Sequence, residues 1–137
     1  MYSKSLKKAT DDVKLLSMEI MQNEVSGVMD IDTFCDINGE WYIFEFLKCD
    51  TVRPFDSHPN RYWFKNKTKF IKLWSLVKKL EGRFYCINYE DSREQFKVIR
   101  VLDLNKDGIC NQVIKKFDFE QYSTWYKYIN KSSLNSK

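Results

Sequence analysis

The sequence has one histidine, His58, and that scarcity lends little support to two kinds of chemistry at the outset. A histidine metal cluster needs a second ring, and a nucleophilic triad needs a base held beside its nucleophile. A place at the entry of the following helix, which Ser57 or Asn60 would cap, is the simpler role for His58. Cys35, Cys49, Cys86 and Cys110 are scattered without a CxxC pair, so neither a zinc knuckle nor a dithiol redox motif is indicated. Three of them lie in apolar, strand-like segments, where a buried free thiol is expected. No apolar run approaches the roughly 20 residues that cross a bilayer, and residues 1–9 carry lysines without an uninterrupted apolar stretch. The expectation is a soluble, unexported, cytoplasmic protein with no membrane partner.

Apolar side chains make up 43% of the 137 residues and aromatics 16%, enough for one well-packed, aromatic-rich core. The length suits a single domain over residues 1–137, with residues 131–137 as a loose Ser/Asn/Lys tail. The net charge of +4 is unevenly spread. Residues 28–57 hold seven acids against Lys48 and Arg53, a balance of −5. Residues 58–83 hold eight Lys/Arg against Glu81, a balance of +7. Carboxylates that hold a cation, followed by lysines that hold phosphates, suit an enzyme acting on a polyanion; an acidic strand edge beside a solvated helix face reads equally well from charge alone.

Leu6, Ala9, Val13, Leu16 and Ile20 recur at helical steps, predicting an amphipathic helix that ends near Gly27 and turns Glu24 toward the core side. Strand-like runs over 28–37 and 40–48 flank Asn38-Gly39, the residue pair that best accepts a type I′ hairpin turn. A polar loop over 50–60 leads to a helix over 61–80, whose stripe reads Trp63, Lys67, Phe70, Trp74, Val77, with Gly82 closing it. Strands near 83–89, 95–104 and 109–117 follow, then an aromatic-rich helix over 119–129. Asp103 to Gly108 matches half of an EF-hand loop, but its twelfth position would be Ile114, and a hairpin turn through Lys106-Asp107-Gly108 is the reading adopted. The fold class is α/β (α+β): one mixed sheet of about five strands flanked by helices.

A two-residue turn at Asn38-Gly39 sets Ile37 opposite Glu40, Asp36 opposite Trp41, Phe34 opposite Ile43 and Asp32 opposite Glu45. Directly opposed residues share a sheet face, so Asp32 and Glu45 should be side by side, with Asp30 one pair further along. Two carboxylates that close repel unless a cation, a proton or a lysine fills the gap, and Mg²⁺ needs only one or two of them. Trp63, Phe64, Tyr62 and Trp74 interleave with lysines, and Tyr62 and Phe64, off the core stripe of Trp74, are the better candidates for stacking on single-stranded bases.

An Asp on one strand, Glu45-Phe46-Leu47-Lys48 ending the next, an inward Glu24 before and a basic helix after resemble the core of the PD-(D/E)XK nucleases. Gly27-Val28-Met29-Asp30 is similar to a Gly-x-x-Asp that some members carry, and the likeness spans roughly residues 19–89. It implies a restriction-endonuclease-like core in which Asp32 or Asp30, Glu45 and Glu24 hold Mg²⁺ (or Mn²⁺). Asp32, Glu45 and a lysine would then hydrolyse phosphodiesters of DNA, with RNA left open. The family motif is Glu-x-Lys, whereas Leu47 stands two after Glu45. The lysine would be Lys48, brought round by a β-bulge, or Lys67 from the helix. Asn60, Arg61, Lys65, Lys67, Lys69 and Lys72 would meet the nucleic acid, and a homodimer would suit cutting of two strands. The competing expectation is a catalytically inactive module of the same fold that binds nucleic acid or a protein partner, as a regulator or inhibitor.

Overall fold

The computed structural model describes residues 30–135 together with Leu16, Glu19 and Ile20. Backbone contacts divide the chain into two units, Met1–Asp30 and Ile31–Lys137. Leu16, Glu19 and Ile20 are helical and exposed; the rest of the expected first helix, Glu24 and the Gly27 cap lie outside the described residues.

The second unit runs β1 (Thr33–Ile37), β2 (Glu40–Lys48), two 3-10 turns (Pro54–Asp56 and Pro59–Tyr62), α1 (Trp63–Leu80), β3 (Arg83–Tyr89), β4 (Phe96–Asn105), β5 (Gly108–Phe117) and α2 (Phe119–Leu134). The strands form one sheet in chain order. Only β2 and β3 are parallel; every other neighbouring pair is antiparallel. A parallel pair needs a long crossover, which α1 supplies. The result is the expected α+β class with a mixed five-stranded sheet.

Asn38 (φ 53°) and Gly39 (φ 88°) both take the left-handed backbone of a type I′ turn, and Gly39 N donates to Asp36 Oδ1 at 2.7 Å. The register follows: Ile37↔Glu40, Asp36↔Trp41, Phe34↔Ile43, as the turn predicts. The β4–β5 hairpin closes on Asn105↔Gly108, so the half EF-hand match is a turn.

Gly82 has a different task from the one its position suggests. Glu81, not Gly82, takes the left-handed conformation after α1 (φ 53°), while Gly82 N returns to Val77 O at 2.9 Å. A Cβ at Gly82 would collide with the carbonyl oxygen of Trp41, so this glycine is needed where β3 starts close against β2. The final helix reaches Leu134, so residues 131–134 are ordered helix and not loose tail; Asp118 caps its start in a reciprocal box with Gln121. Near its end Ser133 Oγ donates to Asp36 O at 2.9 Å.

The centre of the sheet is buried on both faces, while β5 is largely exposed. The α1 face packs Ile43, Phe84, Cys86, Ile99 and Val101 against Trp63, Phe70, Leu73 and Val77. The α2 face packs Tyr42, Phe44, Tyr85, Ile87 and Val98 against Ile129, with Tyr122 and Trp125 partly buried beside them. No described helix is long and apolar enough to cross a membrane.

Candidate functional site

Glu45 lies at the middle of β2, held between β1 and β3 and paired with Cys86. Alternation puts its side chain on the α1 face with Ile43 and Leu47, where it is only 2% exposed. Asp32 lies one residue ahead of β1. The ladder's last rung is Thr33↔Phe44, and one further step sets Asp32 opposite Glu45. There the backbone rung is replaced by a side chain, since Phe46 N donates to Asp32 Oδ2 at 3.0 Å.

Burial chiefly, then the Asp32 carboxylate as hydrogen-bond partner and like charge, pushes the Glu45 carboxyl up to about 8; the Lys69 ammonium pulls the other way. Lys69 Nζ lies 3.2 Å from Glu45 Oε1. That separation makes an ion pair, yet Oε1 is fully buried without an aligned hydrogen-bond donor. The site therefore consists of two adjacent carboxyls and one lysine reaching down from α1.

Lys69 is the residue that sequence reasoning placed elsewhere. Expectation assigned it to phosphate contact and offered Lys48 or Lys67 as partners of Glu45. The β2–β3 register runs without a shift from Tyr42↔Arg83 to Lys48↔Tyr89, so no bulge there turns Lys48 round. Its ammonium instead lies 3.2 Å from Asp91 and 3.9 Å from Asp50. Lys67 is half-buried and makes no ion pair with Glu45, because α1 is rotated from the expected phase: Leu73 is fully buried, and Trp74 packs against the same core only partly buried. Trp63, Phe70 and Val77 fit either phase; Leu73 is the signal that decides between them.

Of the other expected residues, Asp30 is exposed and belongs to the first unit. Asn60 is fully engaged in the fold: its Oδ1 accepts from Ile109 N at 2.8 Å and its Nδ2 donates to Ile109 O at 3.0 Å. α1 has no side-chain cap at its start; the cap is on the 3-10 turn before it and comes from His58 rather than Ser57 or Asn60. His58 Nδ1 accepts from Asn60 N at 3.0 Å, so the proton sits on Nε2 and is donated to Gln112 Oε1 at 2.6 Å. Burial lowers the pKa of this ring, keeping it neutral. Arg61, Lys65 and Lys72 are exposed on the entry turn and α1. The Arg61 guanidinium and the Lys65 ammonium lie 5.8 and 5.9 Å from the centre of the Tyr62 ring, and Phe64 is 93% exposed.

Beyond the C-terminal ends of β2 and β3 opens a cleft of about 430 Å³, lined among others by Leu47, Lys48, His58, Tyr62, Lys65 and Asn88. Asp32, Glu45 and Lys69 do not line it, but Leu47 is two residues beyond Glu45 on the same strand face and Lys65 one helical turn before Lys69. The cleft wall is polar below its surface: Asn88 Nδ2 donates to Ser57 O at 3.0 Å, and the buried Lys97 ammonium donates to the same carbonyl at 2.7 Å.

Among the described residues no group of three or more His, Cys, Asp and Glu forms a ready metal cage. The adjacent carboxyls of Glu45 and Asp32, an all-oxygen donor pair, do fit a hard cation that brings its own waters. Compared with family models, curated proteins and solved structures, the chain finds no match.

Proposed function

We propose that the chain is a metal-dependent nuclease of the PD-(D/E)XK type that hydrolyses DNA phosphodiesters, with Lys69 in the role of the family's lysine. The supporting observation is the buried Glu45 carboxyl, set beside Asp32 with its Oε1 3.2 Å from Lys69 Nζ. Asp32 and Glu45 would hold Mg²⁺ or Mn²⁺, which supplies electrophilic activation of the scissile phosphate and a more acidic water. Glu45 must give up its proton for this, so binding of the cation strengthens as pH rises toward 8. Lys69 balances the Glu45 charge once that proton has left and donates to phosphate oxygens as negative charge builds on them. Arg61 and Lys65 hold flanking phosphates, and Tyr62 offers a ring face to a base.

One observation favours the second reading, an inactive module of the same fold that binds nucleic acid or a protein partner. Asp32 Oδ2 is already occupied by the Phe46 amide, and a proton shared with Glu45 could satisfy the pair without any cation. The two readings separate in a cleavage assay on plasmid, linear and single-stranded DNA with Mg²⁺ or Mn²⁺. The nuclease reading expects cutting that falls by about 100-fold or more in Glu45→Ala and Lys69→Ala. Purified protein that cuts nothing, or cutting that survives Glu45→Ala, sinks it.

A further inference from the structure

The cleft beyond the ends of β2 and β3 contains one buried group that the cleavage reading does not use. Asn88, on β3, is 1% exposed yet lines the cleft, flanked by Leu47 of β2 and Lys97 of β4. Its Nδ2 donates to Ser57 O at 3.0 Å and to Pro54 O at 3.4 Å. Two carbonyl acceptors at one end of the amide identify that end as the NH₂, so the other end is the acceptor Oδ1. Oδ1 accepts no hydrogen bond among the described residues, and it is the end left to the cleft.

The fold gives no account of a half-satisfied amide at this depth. Ser57 O already receives the buried Lys97 ammonium at 2.7 Å, so it has a donor without Asn88. A buried polar group is costly unless its hydrogen bonds are made, and an aliphatic side chain would fill the same space. The partner that completes Oδ1 must bring a donor, and it must arrive through the cleft.

Position narrows the choice of donor. Asn88 lies two residues along β3 from Cys86, the partner of Glu45, on the same sheet face, a step of about 6–7 Å. A strand whose phosphate lies at Asp32, Glu45 and Lys69 therefore has a neighbouring nucleotide at the mouth of the cleft, whose volume of about 430 Å³ suits a single small ligand. Lys65 lines the same cleft, one helical turn before Lys69. We propose that the cleft takes one unpaired base whose exocyclic amine donates to Asn88 Oδ1, so that the substrate is single-stranded or frayed DNA. A base within a duplex cannot reach a side chain that is 1% exposed without leaving its stack. This assignment rests on the cleavage reading for the path of the strand, but its test involves no cutting.

Binding is measured by fluorescence anisotropy on the full chain in EDTA. The probes are a short single-stranded oligodeoxyadenylate, the same strand with purine in place of adenine, and the adenylate in duplex with thymidylate. Purine lacks only the exocyclic amine. Support requires that the adenylate single strand bind about tenfold more tightly than its duplex, and about tenfold more tightly than the purine strand. Asn88→Ala should bind both single strands alike. Because that change also removes a buried hydrogen bond, Thr51→Trp supplies a second arm: it is an exposed change in the cleft lining, its ring fills the cleft, and adenylate should weaken about tenfold. A parent that does not distinguish adenine from purine overturns the proposal, as does duplex bound as tightly as single strand. So does folded Asn88→Ala that still prefers adenine, or binding that Thr51→Trp leaves unchanged. Cutting that depends on Glu45 and Lys69 without this preference defeats the base pocket alone, and the preference without cutting defeats the cleavage reading alone.

Discussion

The two faces of the sheet are built on different principles. On the α2 face, Tyr42, Phe44, Tyr85, Tyr122 and Trp125 pack ring against ring, with Phe44 and Tyr85 stacked at 5.4 Å and Trp125 edge-on to both. On the α1 face the same strands bury Glu45, Asn88 and Lys97 among their aliphatic neighbours. Each of those polar groups costs free energy unless something satisfies it, and the partners come from the loop before α1 or from α1 itself. One face concentrates packing energy, and the other spends part of it to keep charged and amide groups in place.

The contrast is broken most severely on the apolar face. Phe44→Ala, at a fully buried ring, should cost about 3–5 kcal/mol in urea unfolding without changing ionisation at Glu45. A cost near zero would mean that α2 is not what holds that face.

Next in size is Glu45→Gln, read as stability against pH. The folded-state pKa of Glu45 lies above its unfolded value, so between about pH 4.5 and 8 the folded state holds more protons and stability falls as pH rises. His58 acts in the opposite sense: its folded pKa is depressed, so its contribution is present above the unfolded value of about 6.5 and is lost as pH falls. Glu45→Gln should remove the first slope and keep the second. It should also gain on the order of 2–4 kcal/mol at pH 8.5 over parent without cation. Parallel curves for parent and variant would show that the carboxyl is not buried as described.

The smallest expected effect sharpens the polar side. Asn88→Ala removes the donor that reaches Ser57 O at 3.0 Å and Pro54 O at 3.4 Å, at a cost of about 1–3 kcal/mol. Hydrogen exchange should quicken in the loop before α1 while the α2 face keeps its protection.

What could be read in advance follows the same division. The Asn38-Gly39 turn fixes strand register by counting, so Asp32 opposite Glu45 was legible from two residues. The lysine was not, because Leu73 and Trp74 both pack against the core, and only the deeper burial of Leu73 sets the phase of α1 that brings Lys69 to Glu45. The length of α2 was hidden for a related reason. Residues 130–134 are Asn, Lys and Ser before Leu134, a composition that suggests a tail, yet they are held as helix with Ser133 bonded to Asp36 O. Asn60 was placed among the nucleic-acid contacts by its position at the start of a basic helix, and only the distant β5 shows what its side chain serves.

Asn60 also bears on how the molecule behaves in a crowd. By engaging both the N–H and the C=O of Ile109, its amide imitates one residue of a sixth strand, while at the opposite margin Ser133 occupies the carbonyl of Asp36. Each outer strand of the sheet thus has a rung already taken by a side chain, which blunts its use as a template for another chain and works against runaway edge-to-edge aggregation.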